Sequence, residues 1–432
     1  MVLWYLIYNF LVVPLLYLTF QIGSSFNEKI RKGLEGRKNL FIDLAAKRAL
    51  WKDQGDFKII WFHSASLGEF EHGKPLITGL KERYGERIKI VVSFFSPSGY
   101  EPARNYPLAD LVFYLPLDTP FQARKLIHLL QPDIWILLKY DVWPNHVWAA
   151  AEEGIPIFLV SASLPPSSKR LYPGIRSLNR WVYRHLQMIF AISPADAQRF
   201  QQMGLEATRI ITVGETRYDQ VYLRSQSVQN QKDLLRRFSF KGRKLVAGST
   251  WEVDEKYLIK AFKVLSPQYP DLRLILVPHE PSPRRLGSIS QELNKHDLVP
   301  IFTSQTRNLE TLDSHQVLIV DQIGILASLY AVADITFVGG GFGAGIHNVM
   351  EPAAMGKPVL FGPAIHKALE AIRLVACGGG QVVKNDLELI SWLSRLLNHP
   401  ALLQQMGEAA RNLILENRGA TDKILKYLEA YL

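Results

Sequence analysis

Two α/β halves with mostly parallel sheets, behind an apolar N-terminal helix, are predicted by three observations. Short Ile-, Val- and Leu-rich runs alternate with helix-length amphipathic segments along most of the chain, the pattern of βαβ units. The alternation breaks once, at polar Arg224–Arg237, which carries no strand pattern. Met1–Ile22 contains no charged residue.

The first series of strand-like runs is Lys58–Phe62, Ile88–Ser93, Leu111–Tyr114, Ile134–Leu138, Ile157–Val160 and Met188–Ile192. The second is Lys244–Ala247, Leu272–Val277, Val317–Val320, Ile335–Val338 and Pro358–Phe361, with helix throughout from about Leu387. At 432 residues the chain is too long for one ordinary core. The predicted division is an anchor over 1–22, a first Rossmann-like domain over 23–225 and a second over 238–432. Two such domains are expected to face a central cleft beside the carboxyl ends of their strands.

About twenty apolar residues can cross a hydrocarbon core. The segment lacks the basic start of a signal peptide, and the first charge of the chain is Glu28. Lys29, Arg31, Lys32, Arg37 and Lys38 follow, a cluster that belongs on the cytoplasmic side against anionic headgroups. Lys47, Arg48 and Lys52 extend it. An uncleaved anchor is expected; spanning and lying in one leaflet are both open.

Composition narrows the class. The chain is 48% hydrophobic and 21% charged, as globular proteins are. A single cysteine, Cys377, excludes an internal disulfide and a Cys-based metal site. The net charge of +10 suits an anionic partner. No zinc-finger, RNA-binding or helix-turn-helix pattern points to nucleic acid.

Two segments carry candidate chemistry. In the second half, Val338-Gly-Gly-Gly-Phe-Gly-Ala-Gly-Ile-His-Asn-Val-Met-Glu351 reads as a strand, a glycine-rich loop including Gly340, and a helix starting near Asn348. Glycines let backbone approach a ligand, and helix-start N–H groups attract anions. Asn348 suits an N-cap or a ligand contact. Glu351 suits either ribose hydroxyls or the helix dipole. The run does not fit the P-loop pattern.

In the first half, strand Lys58–Phe62 enters His63-Ser-Ala-Ser-Leu-Gly-Glu69. Gly68 would relieve crowding where substrate meets backbone, and Glu69 would sit at the mouth of the cleft. A carboxylate there can deprotonate a sugar hydroxyl. Spacing alone leaves Glu69 open between base and helix-start charge, and His63 open as a strand-end histidine.

These segments resemble the Kdo (3-deoxy-D-manno-octulosonic acid) transferases of the GT-B superfamily. In family order stand His63-Ser-Ala-Ser-Leu-Gly-Glu69, Ser96-Pro-Ser-Gly99, Tyr114-Leu-Pro-Leu-Asp118 and Trp143-Pro-Asn145. Ala162-Ser-Leu164, Gly248-Ser-Thr250, Asp321-Gln-Ile-Gly324 and His347-Asn-Val-Met-Glu-Pro-Ala-Ala354 follow. The resemblance implies a GT-B fold and inverting transfer of Kdo from CMP-Kdo to lipid IVA at the inner membrane. It implies Glu69 as general base, with Ser66, Gly68, Lys139 and Asp141 on the acceptor side. Donor contacts would come from Gly248, Ser249, Thr250, Pro278, His279, Ile323, Gly324, Gly340, Asn348 and Glu351. It implies neither metal nor cofactor.

Three departures stand out. The family's usual Glu-Thr-Glu before Trp143 is Lys139-Tyr140-Asp141 here; its Pro-Arg-His-Pro is Pro278-His279-Glu280-Pro281; and a histidine after Thr250 is Trp251. A UDP-sugar enzyme of the same fold and a non-catalytic nucleotide-sugar module are the alternatives to Kdo transfer.

Overall fold

The computed structural model describes residues 2–51, 54–306, 317–343 and 345–432; Lys52 and Ala344 lie outside them. The chain forms two compact units, one of residues 1–220 with 418–432 and one of residues 221–417. The terminal segment 418–432, expected in the second domain, thus belongs to the first unit. The polar stretch Arg224–Arg237, expected between domains, is helical within Thr216–Gln229 and Lys232–Arg237, with only Asn230 and Gln231 between them.

The first unit is built on β1 (Lys58–Ser64), β2 (Ile88–Phe94), β3 (Leu111–Tyr114), β4 (Ile134–Leu138), β5 (Ile157–Ala162), β6 (Met188–Ala191) and β7 (Ile210–Thr212). They form one parallel sheet in the order β3-β2-β1-β4-β5-β6-β7. Covered on both faces, such a sheet needs apolar residues at successive positions. Ile60 and Phe62 enter one core with Leu76, Ile424 and Leu425. Ile59 and Trp61 enter the other with Trp135, Trp148 and Tyr8; the rings of Trp61 and Trp135 stack at 4.2 Å. The terminal helix Ala420–Leu428 therefore seals one face of this sheet. Asp219 fastens its start, accepting the N–H groups of Gly419 and Thr421 at 2.7 and 2.8 Å.

The N-terminal segment packs on the opposite face. It runs as helix from Val2 to Phe26, with a π-helical stretch at Tyr8–Val12. Val13 N–H reaches back to Tyr8 O there, one residue before Pro14, which has no N–H to offer. Leu3–Phe26 is long and apolar enough to cross a membrane, by length and composition. One face is docked: Tyr5 and Tyr8 pack against Trp148, and Phe20 against Phe95. Asp118, 5% exposed, accepts Tyr8 Oη–H at 2.7 Å, Asn145 N–H at 3.1 Å and a His146 Nδ1 contact at 2.6 Å. Asn145 also donates to Asn9 Oδ1 at 2.8 Å. Asp118 and Asn145, from two of the ordered motifs, thus hold the helix to its unit. The other face leaves Leu3, Phe10, Leu11, Leu15 and Leu18 exposed.

The second unit repeats the plan with β8 (Arg243–Thr250), β9 (Leu272–Pro278), β10 (Pro300–Phe302), β11 (Val317–Ile319), β12 (Ile335–Val338), β13 (Val359–Phe361) and β14 (Gly380–Val382). Its parallel order is β10-β11-β9-β8-β12-β13-β14. Leu245, Leu274, Phe337 and Leu360 carry its core against Leu258, Phe262, Leu389 and Leu393.

Candidate functional site

Strand order reverses between β1 and β4 in the first unit and between β8 and β12 in the second. At such a reversal the loops leaving the carboxyl ends diverge and open a crevice for a ligand.

In the first unit, β1 delivers His63 and Ser64, and the chain turns through Ala65–Ser66 into one helical turn, Leu67–Phe70. Ser66 takes the extended N-cap conformation without a side-chain cap bond. Beyond its own chain neighbours, no atom of the described residues lies within 4 Å of the point a Cβ of Gly68 would occupy, so packing among them does not demand glycine there. Glu69 is 8% exposed; its Oε2 accepts the Ala65 N–H at 2.8 Å. Burial pushes its carboxyl above the usual glutamate range, and that N–H opposes the shift. The charge of Asp141 pushes the same way as burial, while Lys139 and His63 push back.

Lys139 leaves β4 with φ +61° and its N–H on Val160 O at 2.8 Å. This left-handed residue reverses the chain, and Asp141 Oδ2 meets His63 Nε2 at 3.0 Å. On the other side of the imidazole, Nδ1 lies 2.8 Å from Ser93 Oγ, which takes the Trp61 Nε1–H at 2.7 Å. The imidazole thus bridges Ser93, whose carbonyl oxygen also lies 3.1 Å from Nδ1, and Asp141. Glu69, His63, Lys139 and Asp141 therefore converge, with Ser66 and Gly68 on the same turn. His63, open from sequence, is a buried link between β1 and the loop after β4.

In the second unit, several candidate positions are taken up by packing. A Cβ on Gly248 would lie 2.0 Å from Tyr330 Oη. Thr250 Oγ1 donates to Glu255 Oε1 at 2.8 Å, and Glu255 also meets Arg285. Ser249 sits between them at φ +53°, where the β8–β9 register shifts. Gly340 has φ +88°, and a Cβ there would lie 2.3 Å from Gly345 O; only glycine fits. Its N–H donates to Asp254 Oδ2 at 2.9 Å, which also accepts the Trp251 N–H at 2.8 Å. Asp254, absent from the candidates read from sequence, thus ties the glycine-rich loop to helix Glu252–Leu265. Its signal was an acid at the third helical position, the reach-back half of a capping box.

Pro278 pairs with Thr250 across β8–β9 and leads to His279. The His279 ring stacks on His347 at 4.2 Å and lies 4.9 Å from the Trp251 ring. Trp251 Nε1–H donates to His347 Nε2 at 2.8 Å, leaving the proton of a neutral His347 on Nδ1. Burial, and then the charge of His279, push His347 down to about 4. Two of the three departures, Trp251 and His279, thus form one aromatic cluster with His347.

The helix expected near Asn348 starts at Met350 and ends at Ala354. Asn348 Oδ1 accepts the Met350 N–H at 3.0 Å, so it caps from one place further back than expected. Five residues make a weak macrodipole, so any anion there depends on discrete donors. Glu351 Oε1 takes the Arg224 guanidinium at 2.7 Å. Ile323 is 87% exposed, and Gly324 has φ +95° with nothing among the described residues within 4 Å of a built Cβ. Among the described residues no group of three or more His, Cys, Asp or Glu is placed to hold a metal ion.

Two doubly wound parallel sheets in one chain, each with candidate residues at its reversal, define the GT-B class of fold. Solved structures share it: UDP-GlcNAc 2-epimerase from Neisseria meningitidis, bound to UDP-GlcNAc, is similar with TM-score 0.61 at 16% identity over 87% of this chain and 100% of that one. A glycosyltransferase from Rickettsia africae gives 0.54 at 14% identity, over 87% and 98%. Residues 38–220 match the family described as 3-deoxy-D-manno-octulosonic-acid transferase (kdotransferase). The 3-deoxy-D-manno-octulosonic acid transferase of Aquifex aeolicus is 30% identical over 78% of this chain and 86% of its own. That of Haemophilus influenzae is 28% identical over 86% and 87%. The chain belongs to the 3-deoxy-D-manno-octulosonic acid transferase family and is a glycosyltransferase.

Proposed function

We propose that this protein transfers Kdo from CMP-Kdo to a glucosamine hydroxyl of lipid IVA, with inversion, in lipopolysaccharide assembly at the cytoplasmic face of the inner membrane. The observation that carries the reading is Glu69: a buried carboxylate at the reversal of the first sheet, held by one backbone N–H and raised above its ordinary range. Such a group can take a hydroxyl proton as the oxygen attacks the anomeric carbon and the bond to the CMP phosphate breaks. Asp141, held by His63, and Lys139 set the field around it. In the second unit the His347 Nδ1–H and the loop at Gly340 would meet the departing CMP, with Asn348 and Glu351 toward the ribose.

The anchor is proposed to lie along one leaflet, because its inner face is fixed at Tyr8, Asn9 and Phe20 while its outer face is apolar. Lys29, Arg31 and Lys32 would meet anionic headgroups.

Mass spectrometry of lipid IVA incubated with CMP-Kdo and the protein tests this directly. Addition of Kdo by the parent and none by Glu69→Ala is expected; equal transfer by both removes Glu69 from the reaction. The fold of UDP-sugar enzymes makes a UDP-sugar the second reading. Protection from heat by UDP rather than CMP would select it.

A further inference from the structure

A cavity of 590 Å³ lies in the first unit between the start of the N-terminal helix and helix Pro173–Tyr183. Leu3 and Trp4 close one side, and Trp4 Nε1 donates to Ser177 Oγ at 3.1 Å. Its floor is apolar, from Trp181, Leu186, Ile189 and Leu205, and its rim carries Arg180, Arg184 and Arg209. The residues behind it, Leu186 and Leu205–Arg209, enter β6 and β7. The cavity therefore sits at the amino edge of the sheet, opposite the carboxyl edge that carries Glu69.

Charge and burial at this cavity point to a ligand. Arg176, Arg180 and Arg184 recur every four residues and share one helix face. Of the lining residues, Arg180, Arg184 and Arg209 are basic and Glu206 is acidic; Glu206 pairs with Arg209 at 3.0 Å, and the Arg184 guanidinium lies over the Trp181 ring at 5.9 Å. Arg209 also donates to Arg184 O at 3.0 Å, which steadies that side. Trp181 has a buried indole N–H with no hydrogen-bond partner among the described residues. Beside the mouth, the N-terminal helix exposes Leu3, Leu6 and Phe10.

We infer that this cavity binds an anionic phospholipid, its phosphodiester on Arg180 and Arg184 and the start of its acyl chain on the apolar floor. A volume of 590 Å³ is in the range of small-molecule sites, and guanidinium groups suit phosphate oxygens. An inorganic ion would leave the apolar floor unused. The inference extends the membrane reading above, yet a water-soluble probe tests it whether or not the helix enters a bilayer.

The full chain in nonionic detergent would be titrated calorimetrically with dihexanoyl phosphatidylglycerol, dihexanoyl phosphatidylcholine and inorganic phosphate. Phosphatidylglycerol is expected to bind about tenfold or more tighter than either other probe. Arg180→Gln/Arg184→Gln should lose about tenfold of that affinity, with its melting curve and Kdo transfer to detergent-dispersed acceptor unchanged. Lys29→Gln/Lys32→Gln, remote from the cavity, should bind as the parent does. Equal binding of the two lipids, binding of phosphate as tight as that of the lipid, or undiminished binding by the arginine variant each overturns the inference. If the double variant fails to fold, Arg180→Gln alone, at an exposed position, decides the matter in the same titration.

Discussion

His63 Nε2 lies 3.0 Å from Asp141 Oδ2, a bond between β1 and the loop leaving β4, across the reversal of strand order in the first sheet. It gives Asp141 a defined position beside Glu69. The family's usual residue at 141 is a glutamate; the aspartate here keeps the carboxylate with one methylene less. Removing the charge and removing the acceptor should therefore differ. Asp141→Asn keeps an oxygen for Nε2–H and should lower kcat/KM less than about tenfold, whereas Asp141→Ala should lower it about tenfold or more. Steady-state transfer assays of both variants check this.

The pH dependence of transfer should report Glu69. Burial raises its carboxyl, so the acidic limb of kcat/KM should lie above the ordinary glutamate range. Lys139 opposes the shift and Asp141 adds to it. Lys139→Ala should then move the limb to higher pH and Asp141→Asn to lower pH. Movement of both limbs in one direction would contradict the assignment.

Stability should follow the same sign. A carboxyl raised in the folded state favours folding below its unfolded value, near 4.5, and that contribution is lost as pH rises through the folded value. Glu69→Gln should therefore melt above the parent at neutral pH, with the difference vanishing below about pH 4. The same variant should lose transfer by about 10²- to 10⁴-fold. Thermal melts at several pH values, with the transfer assay alongside, measure both.

In the second unit, Trp251 Nε1–H holds His347 Nε2 at 2.8 Å, so the indole decides which imidazole nitrogen carries the proton. Nitrogen-15 shifts of His347 should show the Nδ1–H tautomer in the parent and a mixture in Trp251→Phe. CMP affinity should fall about tenfold with the loss of that fixed donor. Trp251→His, which can donate again, should recover part of the loss.

Asp118 should be costly to remove. It is buried and accepts from Tyr8, Asn145 and His146. Asp118→Ala leaves those donors without a partner and should destabilise the first unit by about 3–5 kcal/mol. Denaturant titration measures this, and protease cleavage within Val2–Phe26 should accelerate as the helix loosens.

Much of the fold was legible because strands covered on both faces are apolar at every position. Eleven runs read from sequence correspond to strands of the structure. β7, β10 and β14 have no counterpart among those runs; each is three residues long and at a sheet edge, where a run is too short and too open to show a pattern. The terminal segment 418–432, expected in the second domain, packs in the first unit, since its apolar face shows that it docks but not where.

The sequence by itself determined two parallel α/β halves, the apolar N-terminal helix and the turns on which Glu69 and Gly340 sit. These follow from local periodicity and from glycine and helix-start chemistry, which depend on near neighbours. Only the tertiary structure decided that His63 faces Asp141, that Asp254 pins Gly340 from 86 positions away, and that Asp118 holds Tyr8 from 110. It also decided that Gly248 makes room for Tyr330 and that Glu351 meets Arg224. Such pairings depend on the order in which distant strands enter the sheet. That order places two polar groups within 3 Å without leaving a mark in the residues between them.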